Sequence, residues 1–196
     1  MSSLTRITGG YHRAVPTKTP LHAHRDPADA AILASILALA ILAGIWPIAG
    51  VLTTWMPLLA VPAAAGLPSL LPPLRLVPLG GTTAGFWVAD TLAVLVMLLA
   101  AWLQLRAVGR RRPNPGHGRA FGRGVWTTAV AVVAGNLVRT VFLSFVTHSD
   151  LGTFAGYVVF GMLVSLITGL TLGVVVGAAA AVTRLLRPRA RESVAV

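Results

Sequence analysis

Asp90 and Arg139 are the residues whose types and positions best suit chemistry, because each lies within a long and otherwise uncharged apolar tract. A charged side chain within hydrocarbon is costly, so such residues turn towards other helices and find a partner. Asp90 stands about 9 Å below the outer end of its tract and Arg139 about 12 Å below the outer end of the next one, at 1.5 Å per helical residue. If the two tracts are antiparallel neighbours, these depths match, and an ion pair locking two helices is expected. Asn136, one helical turn before Arg139, and the adjacent Thr140 add polar atoms on that side. Asp90, Asn136 and Arg139 therefore have two possible roles: a structural pair, or a polar intramembrane site for a substrate, an ion or a lipid headgroup.

A second pattern is a ladder of small residues, Gly161, Ser165, Gly169, Gly173, Gly177 and Ala181, spaced every four residues. In a helix this spacing forms one stripe, a glycine zipper on which another backbone can approach closely. The partner is left open between a helix of the same chain, a second copy and another membrane subunit.

The third pattern is basic. Arg106, Arg110, Arg111, Arg112, Arg119 and Arg123 fall in a Gly/Pro-rich segment, 106–124, which reads as a cytoplasmic loop attracting anionic headgroups. These arginines lack the repeated aromatic interleaving of a nucleic-acid platform, so no nucleic-acid partner is expected.

Other chemistry finds little support. The chain has no cysteine, which removes disulfides and thiolate metal sites. His22 and His24 form an isolated HxH, no histidine lies within an apolar tract, and neither a metal nor another cofactor is expected. His148, Ser149 and Asp150 are consecutive, whereas catalytic triads are assembled in space. HExxH, GxSxG, phosphate-loop and dinucleotide-binding signatures are missing. An intramembrane aspartyl protease would need a second aspartate beside Asp90.

The elements that must position these residues follow from composition. Of 196 residues, 56% are hydrophobic and 11% charged, against about 25% charged in soluble domains. The charges are segregated, leaving tracts near or above the ~20 residues that cross a bilayer. Four spans are expected, at approximately 28–47, 84–105, 125–147 and 154–183, within a membrane domain covering 26–186. Asp26, Pro27 and Asp29 form a helix start for the first span. Residues 1–25 read as a flexible basic tail, and 187–196 as a second tail. The first 28 residues contain no apolar core preceding a cleavage site, so the first span is expected to remain as an anchor.

Residues 48–82 contain Pro57, Pro62, Pro68, Pro72, Pro73 and Pro78. Interior prolines break hydrogen bonds that lipid cannot replace. The four-span arrangement places fourteen basic residues on one side, four in 1–25, six in 106–124 and four from Arg184 to Arg191, with Arg75 alone on the other side and Arg139 within a span. A fifth span over 48–66 would turn the six-arginine segment outward. The excess of basic residues on cytoplasmic loops therefore favours an all-α protein with four spans, both termini inside, and a Pro-rich segment that is external or partly re-entrant. Arginine far outnumbers lysine alongside abundant Ala, Gly and Pro, which fits a bacterial chain and a cell-membrane location.

The ladder leads to the expectation of a non-enzymatic accessory or scaffolding subunit acting through helix–helix contacts. The first alternative is a component of a small oligomeric transporter or channel, with Asp90, Asn136 and Arg139 lining a polar path. The second is an intramembrane enzyme acting on a lipid or lipid-linked substrate.

Overall fold

The computed structural model describes residues 27–45, 51, 54, 71–76, 83–111 and 116–186. The regular structure among these residues is helix alone, with α1 at Pro27–Gly44, α2 at Ala84–Arg111, α3 at His117–Val146 and α4 at Leu151–Leu185. All four are long and apolar enough to cross a membrane, with mean hydropathy between 1.9 and 2.3 over their most apolar windows. Consecutive helices run antiparallel, so the start of α1, the end of α2, the start of α3 and the end of α4 share what is here termed the basic end.

Three helices extend beyond the spans expected from the sequence. α2 continues through Arg110 and α3 starts at His117, so much of segment 106–124 is helix rather than loop. Its glycines and arginines suggested a loop, but Ala120, Gly124, Thr127, Thr128, Ala131 and Gly135 form one buried stripe that starts in that segment. Packing along this stripe outweighs the low helix propensity of glycine.

Many large apolar side chains face outward, while small residues and a few of Ile, Val and Met lie inside. Leu95, Leu99, Phe160 and Ile167 are each more than half exposed. α3 and α4 pack most intimately, because small residues let their backbones meet. A Cβ on Gly169 would come within 2.7 Å of Ala129 Cα, one on Gly173 within 2.8 Å of the Val125 carbonyl oxygen, and one on Gly177 within 2.6 Å of that of Phe121. α1 leans chiefly on α4 and touches α2 sparingly, presenting the stripe Ala28, Ile32, Ile36 and Ala40.

Local chemistry closes the turn between α3 and α4. His148 has φ 49°, and its N–H reaches Phe145 O while Ser149 N–H reaches Ser144 O. This is the Schellman arrangement, with histidine in the left-handed position that glycine usually takes. Asp150 then caps α4, its carboxylate accepting from Thr153 N at 2.9 Å and Thr153 Oγ1 at 3.0 Å. The backbone hydrogen bond from Thr153 holds this carboxyl below the usual carboxylate range. His148, Ser149 and Asp150 thus have a turn-forming job.

Most of the Pro-rich segment and both tails lie outside the described residues, but 71–76 do not. Leu71, Pro72 and Pro73 are buried without helical structure. Pro72 Cγ, Ala93 O and Met97 Cβ surround the position of a Cβ on Gly135, at 3.0, 3.0 and 3.1 Å. Leu74 N–H donates to Ala40 O at 2.9 Å, and a Cβ on Gly44 would collide with the Leu74 carbonyl. Trp87 Nε1 donates to Arg75 O at 2.8 Å. Irregular backbone is tolerated among spanning helices where protein buries it and its polar groups find partners. Here α1, α2 and α3 supply the contacts.

Candidate functional site

A polar cluster forms at the end of the bundle opposite the basic end. Asp90 projects from the stripe of α2 that also buries Ala89 and Ala93. Across the antiparallel interface Arg139 Nε meets Asp90 Oδ1 at 2.8 Å. Arg75, brought in by the segment anchored at Pro72 and Leu74, is close enough to act electrostatically on both. Asp90 is thus paired with Arg139, while Arg75 acts on the pair through its charge.

A neutral network backs the cluster. Asn136 Oδ1 lies 3.5 Å from Arg139 Nη1, and Asn136 Nδ2 donates to Ser165 Oγ at 2.9 Å. Thr140 Oγ1 donates to Asn136 O, and Ser144 Oγ to Thr140 O. Gly161 leaves room for Thr140, since a Cβ there would be 3.2 Å from its hydroxyl. Ser165 is fully buried, and its partner is an amide rather than a base. The side chains of Asp90 and Arg139 remain 12% and 23% accessible, so the pair borders the outside of the bundle. Such a cluster can hold and orient a charged group.

Ser165 thus belongs both to the ladder and to this network. The other ladder glycines face α3: Gly161 at Thr140, Gly169 at Ala129, Gly173 at Val125 and Gly177 at Phe121. The stripe is covered within the chain and does not present an open surface to another subunit.

The basic residues separate by role. Arg110 is exposed at the end of α2, and Arg119 is exposed on the first turn of α3. Arg111 is the last residue of α2, and Arg112 lies outside the described residues. Arg123 departs from the expected lipid-facing position. Its side chain is 7% accessible and pairs with Asp29 at 3.0 Å, while the same Nη2 donates to Leu105 O at 2.6 Å. The pair joins the starts of α1 and α3 to the end of α2. Asp29 Oδ1, Arg123 Nε, Gln104 Oε1 and Thr127 Oγ1 are buried without a hydrogen-bond partner among the described residues.

This second pair is obscured in the sequence, because Asp29 fits the start of a helix and Arg123 fits a basic Gly/Pro loop. The available signal was the spacing of Ala120, Gly124, Thr127 and Ala131, which puts residue 123 on the border of a buried face.

Among the described residues no group of three His, Asp or Glu side chains could hold a metal ion. No family model, curated protein or solved structure matches the chain.

Proposed function

We propose that the chain is a non-enzymatic multi-pass protein of the cell membrane that binds an anionic group at Arg75, Asp90 and Arg139, as the binding component of a small oligomeric transporter. The observation that carries this reading is the Asp90–Arg139 pair, with the charge of Arg75 acting on it, among helices long and apolar enough to cross a membrane. Asp90 offsets one arginine and orients it. Two arginines against one carboxylate give the cluster a formal positive charge, which favours a phosphate or carboxylate that a planar guanidinium can grip with two hydrogen bonds.

The excess of arginine at the basic end supports a cytoplasmic position for that end, with the anion site in the outer half of the bilayer. In this reading 71–76 belong to a re-entrant segment that delivers Arg75. Val94, Met97, Val132 and Val176 fill the interior between the helices, so a transport path would run between copies. An accessory role through helix contacts would use the lipid-facing sides of α2 and α4, because α3 covers the ladder.

Thermal unfolding of purified protein in a neutral detergent tests the site. Inorganic phosphate raising the midpoint indicates a free anion, and phosphatidylglycerol alone raising it indicates a lipid headgroup. Either response should disappear in Arg75→Gln. Neither additive acting on the native protein, or an undiminished response in that variant, would overturn the assignment.

A further inference from the structure

Because α1 leans on α4, a groove of about 450 Å³ remains between α1 and α2. Leu33, Ala34 and Leu37 form one wall, and Leu98, Leu99 and Trp102 form the other. These walls offer hydrocarbon and the indole face, and Ala34 keeps the α1 side low. At the basic end of the groove the Arg106 guanidinium carbon lies 3.7 Å from the centre of the Trp102 ring. Stacking on an indole fixes the guanidinium plane and leaves its N–H edges free to bind oxygen. Arg106 is exposed and forms no ion pair among the described residues. Exposed Arg110 follows one turn later.

We infer that this groove is a site for an anionic phospholipid, with one acyl chain between α1 and α2 and the headgroup phosphate on Arg106. The spacing suits that ligand. Arg106 lies about 6 Å beyond Trp102 along α2, at 1.5 Å per residue, so the charge follows directly after the apolar walls. Tryptophan and arginine in that order mark the passage from acyl chain to headgroup. A partner helix would fill the walls equally well, but it would need an acidic residue at this one depth to satisfy Arg106. An anionic lipid carries tail and charge already joined in that order. This site is separate from the Asp90–Arg139 cluster and stands without the anion-transport reading.

Full-length protein in vesicles of phosphatidylcholine and phosphatidylglycerol provides the test, with bromine placed on the acyl chains of either lipid. The chain has five tryptophans, so the contribution of Trp102 is obtained by difference from Trp102→Phe. Brominated phosphatidylglycerol should quench that contribution at a mole fraction roughly fivefold lower than brominated phosphatidylcholine, the preference expected for one arginine–headgroup contact. Arg106→Gln should abolish the preference. Arg119→Gln, which removes an exposed charge elsewhere at the same end, should leave it intact. Equal quenching by both lipids, or equal loss in the two arginine variants, would reduce the groove to an ordinary lipid-facing surface. Failure of both lipids to quench Trp102 would show that protein, such as a second copy, fills the groove. Any of these outcomes overturns the proposal.

Discussion

Asp90 receives Arg139 Nε at 2.8 Å while the guanidinium of Arg75 acts on both partners. The two obvious neutralising substitutions are therefore unequal. Arg139→Gln leaves Asp90 with Arg75 nearby, whereas Asp90→Asn leaves two like charges without their carboxylate. Breaking a buried pair from one side commonly costs about 3–5 kcal/mol. Asp90→Asn should lie at the upper end of that range and Arg139→Gln at the lower end. The double variant should recover part of the loss, as measured by unfolding with a denaturing detergent. Additive losses would show that Asp90 and Arg139 do not interact.

The ladder predicts a sharp contrast between neighbouring positions. Gly173→Leu must push its side chain into the Val125 backbone, and overpacking of this kind typically costs about 1–3 kcal/mol or more. Val174 is 52% exposed, so Val174→Leu should change stability by less than about 0.5 kcal/mol. Similar unfolding midpoints for the two variants would contradict the close approach of α3 and α4.

The proposed orientation can be tested with thiol labelling, since the native chain has no cysteine. Leu151 is 83% exposed at the turn into α4. Leu151→Cys should react with an impermeant reagent in intact cells. Asn114→Cys and Ser193→Cys should react only after permeabilisation. The reverse pattern would invert the bundle and place the Arg75 cluster in the cytoplasmic half.

His148 gives a stabilising prediction. Left-handed backbone costs a non-glycine residue roughly 1–2 kcal/mol, partly offset by the greater freedom glycine has when unfolded. His148→Gly should therefore raise stability by about 0.5–1 kcal/mol, read as a higher unfolding midpoint. A drop would show that the imidazole makes a contact that outweighs the strain.

The four helices were legible because hydrocarbon imposes a length and excludes charge, and both signals survive in the residue order. The ladder was legible as a stripe, but spacing alone does not identify its partner. The backbone contacts at Ala129, Val125 and Phe121 do so. Asp90 and Arg139 could be matched because each is isolated in an apolar tract. Arg75 could not be added, since its place depends on how Pro72 and Leu74 pack rather than on any periodicity. Arg123 was obscured by the glycines around it, whose small size serves helix contact in α3 while resembling the composition of a loop.

The seat of Pro72 against Gly135 also constrains the order of assembly. Leu74 can find Ala40 as soon as α1 exists, but the pocket for Pro72 is incomplete until α2 and α3 are both in the membrane. A chain halted before α3 emerges has nowhere dry to place Leu71, Pro72 and Pro73. Their backbone must then remain with water or interfacial lipid. The dry seat of Pro72 thus becomes complete only when α3 joins α1 and α2.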